Sequence, residues 1–179
     1  MDFEELREKY ESISYDSFSF RENEKDFEIS FFYSLGDIKF VHRLNVIKKH
    51  FFVMDNLVDR DVFLFNLGMA ELISYYKCAC PKKVIVKAGK LTDEQIEFWK
   101  KLFYNGLGEF RFVNNIKVGY DEFVDFENAT GLTFKKSKID KFSGNLVPIG
   151  GGKDSVVTIE LLKTQNADNT CFIVNPRGA

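Results

Sequence analysis

A glycine-rich loop between a short apolar strand and a helix constrains this chain more than any other stretch. The segment from Asn145 to Leu162 reads NLVPIGGGKDSVVTIELL, and its loop consists of Gly150, Gly151 and Gly152. Glycine has no Cβ, so a bulky anion can approach these backbone N–H groups closely. The following helix offers its first unpaired N–H groups and the positive end of its dipole to the same anion. The pattern predicts a phosphate site.

Three polar residues after the glycines add to this predicted site. Lys153 supplies a positive charge, Asp154 and Ser155 stand where we expect a helix cap, and Ser155 also offers a hydroxyl. We therefore predict a nucleotide site formed by Gly150, Gly151, Gly152, Lys153, Asp154 and Ser155. A glycine-rich strand-to-helix turn that binds no ligand is the structural alternative.

Two common nucleotide-binding motifs do not fit this loop. The P-loop motif is G-x-x-x-x-G-K-[ST], but Val147 stands at its first position and Asp154 follows Lys153. The dinucleotide fingerprint G-x-G-x-x-G fails at its last position, which Ser155 holds. The loop GGGKDS resembles instead the SGGxDS loop of the PP-loop ATP pyrophosphatases. Gly150 replaces the first serine of that motif, so phosphate affinity would depend more on backbone N–H groups.

The first 142 residues predict an α+β domain with a β-hairpin and helices. Phenylalanine occurs 20 times, which favours a dense core. We predict a short helix or frayed lead-in over residues 1–12, and strands over residues 13–20, 27–31, 38–44, 83–87 and 110–113. We predict helices over residues 61–77 and from the Thr92 capping box to Gly106. Residues 114–144 have no clear pattern.

The helix predicted over residues 61–77 is apolar on nearly every side, so we expect it to be buried all round or close to it. Glu71 within it must be paired, face a cleft or have a raised pKa. A general acid or base and a partnered structural carboxylate are both open, and we favour the structural carboxylate. Gly68 in mid-helix predicts close packing against another backbone.

The end of the sequence predicts a strand–helix–strand unit of a parallel sheet. Residues 170–174 form a fully apolar run, which is typical of a buried parallel strand. Asn175 and Pro176 follow it at the carboxyl end, where α/β sheets bind ligands, so Asn175 joins the predicted nucleotide site.

The fold class is therefore α/β, with an N-terminal α+β domain over residues 1–142. Residues 143–179 form the first βαβ unit of a PP-loop or HUP-like sheet. We expect this second domain to be truncated, because one βαβ unit cannot cover both faces of a parallel sheet. A sheet completed by the N-terminal strands or by another chain is the alternative.

Charge and hydropathy exclude several classes of function. The net charge of −2 predicts no general attraction to nucleic acid or to an anionic membrane. The N-terminus is charged, and no run approaches 18 apolar residues, so we predict a cytoplasmic protein without a signal peptide or membrane span.

The cysteines, histidines and clustered lysines give weaker indications. We predict that the three cysteines are reduced thiols (Cys78, Cys80 and Cys171), and the two histidines lack partners at metal-ligand spacing (His42 and His50). The lysine run Lys135, Lys136, Lys138 and Lys141 predicts a solvated linker or edge, or alternatively a region that steers a polyanionic substrate.

Three segments resemble the N-terminal region of the UDP-N-acetylmuramoyl-L-alanyl-L-glutamate epimerases. They are residues 146–158, which contain the glycine loop, residues 65–77 (FNLGMAELISYYK), and residues 95–102 together with GLGEF at 106–110. The resemblance covers most of residues 60–179 and corresponds to the front portion of a family member.

This resemblance implies an ATP- and Mg²⁺-dependent isomerase of peptidoglycan precursor synthesis. The family inverts the terminal L-Glu of the UDP-linked muramoyl dipeptide to D-Glu through an acyl-adenylate. By this resemblance Gly150, Gly151 and Gly152 with Lys153 and Ser155 hold the phosphates, and Asp154 orients the loop or binds Mg²⁺. The residues that move the proton are not identified. Another PP-loop ATP pyrophosphatase, such as an amide-forming ligase or an RNA-modifying enzyme, and a non-catalytic nucleotide-binding module are the alternatives.

Overall fold

The computed structural model describes residues 3–50, 60–134, 143–165 and 167–173. The chain divides into two compact units, residues 1–137 and residues 138–179. The domain boundary predicted between residues 142 and 143 adjoins residues 135–142, which lie outside the described ranges, so it stays a prediction. The lysine run at Lys135, Lys136, Lys138 and Lys141 lies outside them too.

The first unit is built on a mixed five-stranded sheet with helices, which confirms the predicted α+β fold. Its elements are α1 (Phe3–Lys9), β1 (Ser12–Glu22), β2 (Asp26–Leu35), β3 (Ile38–Ile47), a 3₁₀ turn (Lys48–His50), α2 (Arg60–Tyr76), β4 (Lys83–Val86), α3 (Asp93–Gly106), α4 (Gly108–Val113), α5 (Tyr120–Phe123) and β5 (Asp125–Asn128). The strand order is β3-β2-β1-β4-β5. Strands β1 to β3 form an antiparallel meander, and β4 and β5 join it in parallel.

A β-bulge in β1 explains an irregular apolar pattern in the sequence. Tyr15 pairs with Tyr33, but Ser17 pairs with Phe32, so Asp16 is an extra residue in β1. A bulge shifts the alternation of side chains by one position. Ile13 and Tyr15 before the bulge and Phe18 and Phe20 after it therefore all belong to the core or pack against it.

Helix α2 packs on β1 and β2, and the predictions about its surroundings need two corrections. The helix is not buried all round, because Phe63 is 61% exposed while Leu64, Phe65 and Leu72 face the core. The three atoms nearest to a Cβ built on Gly68 belong to side chains, where the sequence predicts a backbone. A Cβ on Gly68 would lie 2.1 Å from the Tyr15 hydroxyl oxygen and 2.8 Å from the Phe31 ring, so only glycine fits this contact.

Helix α3 begins and ends as the sequence predicts. The Gln95 backbone N–H donates to Thr92 Oγ1 (3.3 Å), and the Thr92 N–H donates to Gln95 Oε1 (2.9 Å), which confirms the capping box. The strand predicted over residues 110–113 is wrong, since these residues form α4 directly after α3. Phe112 is 87% exposed, so its alternation with Phe110 does not mark a buried sheet face.

The second unit contains strand β6 (Asn145–Pro148), helix α6 (Lys153–Lys163) and strand β7 (Asn169–Phe172). The two strands pair in parallel, as the βαβ pattern predicts. The prediction that the last strand is buried is wrong, because every residue of β7 is exposed. Among the described residues α6 packs on β6, and only Val147 of this unit is buried. No helix in the described part of the chain is long and apolar enough to span a bilayer.

Two tyrosines beside α2 lead to opposite stability predictions. The buried Tyr15 hydroxyl has no hydrogen-bond partner among the described residues, whereas the Tyr33 hydroxyl donates to the Gly68 carbonyl at 2.7 Å. An unsatisfied buried hydroxyl costs free energy, so we expect Tyr15→Phe to raise the free energy of unfolding by about 1 kcal/mol. Tyr33→Phe should lower it by about 1 kcal/mol. Urea unfolding followed by the fluorescence of Trp99, the single tryptophan, measures both variants. A Tyr15→Phe variant less stable than the parent would contradict this account.

Candidate anion-binding site

The glycine loop connects the end of β6 to the start of α6. The Ile149 N–H donates to the Phe172 carbonyl at 2.8 Å, which extends the parallel pairing by one residue beyond β6. Gly150, Gly151 and Gly152 follow, and α6 begins at Lys153. The loop therefore leaves the carboxyl end of a parallel strand, the position at which open α/β sheets bind ligands.

The space around the three loop glycines is open. A Cβ built on Gly150, Gly151 or Gly152 would meet no heavy atom of the described residues within 4 Å. Gly151 has a φ of +79°, which disfavours any residue with a side chain. Gly144, before β6, differs from them because its Cβ would lie 2.7 Å from the Asp168 carbonyl oxygen. Packing and backbone conformation thus explain Gly144 and Gly151, whereas neither of them requires glycine at positions 150 and 152.

The N-terminus of α6 has no side-chain cap. Its N-cap residue is Gly152, with extended backbone (φ −94°, ψ 175°) and no side-chain hydrogen bond to the first turn. The prediction that Asp154 and Ser155 occupy the cap is wrong, because the extended conformation of Gly152 starts the helix earlier and places both in the first turn. The first N–H groups of an uncapped helix are suited to an anion.

The polar side chains of the loop lie close together. Lys153 Nζ contacts Asp154 Oδ1 at 2.6 Å, and these side chains are 86% and 89% exposed. The Gly150 N–H donates to Ser155 Oγ at 3.1 Å. The structure therefore brings the six predicted residues from Gly150 to Ser155 into one loop and first turn, while Asn175 lies outside the described residues. Their assignment to a nucleotide stays a prediction.

The loop offers a single carboxylate to a metal ion. Mg²⁺ is usually held by one or two carboxylates together with phosphate oxygens and water, so Asp154 alone fits a shared metal–nucleotide site. Within the described ranges there is no group of three or more His, Cys, Asp and Glu side chains that could hold a metal ion. Cys78, Cys80 and Cys171 are free thiols.

Glu71, the other residue considered for catalysis, lies in the first unit beside a histidine. Glu71 Oε2 is 3.6 Å from His42 Nε2, and His42 Nδ1 is 3.0 Å from the Tyr75 hydroxyl. Burial, followed by the negative charge of Glu71, raises the pKa of Tyr75. The three side chains connect β3 to α2, which fits the partnered structural carboxylate. The sequence did not indicate this cluster, because His42 lies on a strand 29 positions before Glu71 on the helix.

The fold and the loop together define the chain as an α+β domain followed by a parallel strand–loop–helix–strand unit. The glycine loop of this unit is open, and its helix has no side-chain cap. The family described as the MurL N-terminal domain matches residues 4–179, and the chain belongs to this family. The resemblance to the UDP-N-acetylmuramoyl-L-alanyl-L-glutamate epimerases is confirmed by this match and by two relatives.

Both relatives are named UDP-N-acetyl-alpha-D-muramoyl-L-alanyl-L-glutamate epimerase. The protein from Xanthomonas oryzae pv. oryzae (strain MAFF 311018) is 30% identical over 98 residues, which are 55% of this chain and 21% of that protein. The protein from Micromonospora sp. (strain ATCC 39149 / NRRL 15099 / SCC 1413) is 29% identical over 107 residues, which are 58% of this chain and 23% of that protein. The match thus spans less than a quarter of each relative's length. No solved structure matches the chain.

Alanine substitutions in the loop should show which of the three glycines the backbone conformation requires, through their effect on the stability of the second unit. Gly151→Ala should destabilise the second unit by about 1 kcal/mol, because alanine is strained at a φ of +79°. Gly150→Ala should leave its stability unchanged, since its Cβ meets no atom of the described residues. Gly152→Ala should cost less than Gly151→Ala, and only because alanine is a poorer N-cap residue than glycine. Native-state hydrogen exchange of the β6 and α6 amides reports this unit separately from the sheet of the first unit. Equal losses in all three variants would support the turn that binds no ligand.

Proposed function

We propose that this chain is the N-terminal part of an ATP-dependent epimerase of peptidoglycan precursor synthesis, acting in the cytoplasm. The substrate is UDP-N-acetylmuramoyl-L-Ala-L-Glu, whose terminal L-Glu is inverted to D-Glu. The observation that carries the proposal is an open, uncapped glycine loop in a chain of the MurL N-terminal domain family. The names of the two relatives support the choice of substrate.

The chemistry of the substrate explains why this epimerization would need ATP and a loop that binds its phosphates. The α-proton of a free carboxylate is very weakly acidic, because its removal would place two negative charges close together. Transfer of AMP to that carboxylate removes one charge, releases pyrophosphate and makes the α-carbon much more acidic. A base can then remove the proton, an acid can return it to the opposite face, and water can release AMP.

In this proposal the loop holds the phosphates of ATP through its own backbone and side chains. Gly150 and Gly152 admit the phosphates because no atom of the described chain fills the space beside them. The first N–H groups of α6 donate to phosphate oxygens. Lys153 exchanges its contact with Asp154 for the phosphates, and this exchange leaves the Asp154 carboxylate available to Mg²⁺.

The configuration of the product glutamate tests the reaction. A protein that carries this chain and spans the full length of the two relatives should convert the L-Glu residue of the substrate to D-Glu. The conversion should require ATP and Mg²⁺, and AMP and pyrophosphate should form only when the substrate is added. Acid hydrolysis followed by chiral chromatography of glutamate measures the outcome, with a reaction lacking ATP as the control. Glutamate that stays L while ATP is consumed would refute the epimerase and favour an amide-forming ligase.

Substitution of the charged loop residues tests the site. In the same full-length protein, Lys153→Ala and Asp154→Ala should each lower ATP turnover by about a hundred-fold, because each removes a charge that acts on the phosphates. Lys163→Ala is the matched control, since Lys163 lies on the same helix and pairs with Glu160. Circular dichroism should show that all three variants remain folded. Unchanged turnover in Lys153→Ala and Asp154→Ala would refute the loop assignment.

A further inference from the structure

Ser155 differs from the other residues of the glycine loop in its burial and its contact. It is half-buried, whereas the glycines, Lys153 and Asp154 are exposed. Its Oγ accepts the N–H of Gly150, five residues earlier, at 3.1 Å. The serine hydroxyl therefore links the residue that opens the loop to the first turn of α6.

This hydrogen bond spans the three consecutive glycines of the loop. Three consecutive glycines lose more conformational entropy on ordering than other residues, so a loop without a crossing contact is costly to fix around a ligand. The contact uses the backbone of position 150 and does not need a side chain there. It is therefore compatible with glycine at the position where the related motif has serine.

We propose that Ser155 is a positioning residue, whose hydroxyl fixes the glycine loop by accepting the Gly150 N–H. Because the Gly150 N–H is bonded to the Ser155 hydroxyl, the N–H groups left for an anion are those further along, at the start of α6. The identity of the anion as a nucleotide phosphate rests on the proposed function, whereas the positioning of the loop does not.

The first test needs no ligand. We expect Ser155→Ala to raise the solvent-exchange rate of the Gly150 amide roughly five-fold, as measured by ¹⁵N NMR on the whole chain, because one hydrogen bond is lost. Ser155→Thr keeps a hydroxyl and should restore the parental rate. Thr158→Val is the control, since the Thr158 hydroxyl donates to the Asp154 carbonyl within the helix. An unchanged Gly150 rate in Ser155→Ala, or no restoration by Ser155→Thr, would overturn the proposal.

The second test uses inorganic pyrophosphate and Mg-ATP as separate probes, titrated into the same variants. Ser155→Ala should weaken binding roughly five-fold, and the loss should accompany the faster Gly150 exchange already present in the free protein. Weaker binding with an unchanged Gly150 amide would identify a direct ligand and overturn the positioning role. If the parent binds neither probe, the proposed function fails, and the Gly150 exchange rates alone decide whether Ser155 positions the loop.

Discussion

The register shift between Tyr15 and Ser17 decides which side chains of β1 reach the core of the first unit. Without the extra residue, Phe18 and Phe20 would point to the opposite face of the sheet from Ile13 and Tyr15. Strand β1 lies at the centre of the sheet, between β2 and β4. The bulge thus lets a single strand present aromatic side chains to the core along its whole length.

The bulged residue is held by a polar cluster. The Asp16 carboxylate accepts hydrogen bonds from Lys87 Nζ and Ser14 Oγ, each at 2.7 Å, and from Ser34 Oγ. Burial acts to raise the pKa of Asp16, but these hydrogen bonds and the charge of Lys87 outweigh it and lower that pKa. Because its folded-state pKa is lowered, the carboxylate stabilises the fold above its unfolded pKa and loses that contribution as the pH falls through the folded value. The donors lie on β1, on β2 and at Lys87, the residue after β4, so the cluster connects the antiparallel and parallel parts of the sheet.

The sequence predicted the features that local chemistry determines. The Thr92 capping box, the β2–β3 hairpin and the strand–glycine loop–helix order each depend on residues within a few positions of one another. The strand β5 was missed because its sequence, DFEN, has a single apolar residue, and its place in the sheet depends on pairing with β4, about forty positions earlier. The helix α4 was predicted as a strand because Phe110 and Phe112 alternate. In both cases the tertiary environment, and not the local pattern, determines the structure.

The same distinction holds for the candidate site. The six residues from Gly150 to Ser155 are contiguous, so the sequence could place them together, but it could not show which of their groups already have partners. The structure shows that Ser155 occupies the Gly150 N–H, that Asp154 contacts Lys153, and that the helix start is uncapped. Of the three loop glycines, only Gly151 has a backbone conformation that requires glycine, and Gly152 occupies an N-cap position that also favours it. No atom of the described residues fills the space beside Gly150, and a ligand that approaches the backbone closely at the start of α6 would account for glycine there.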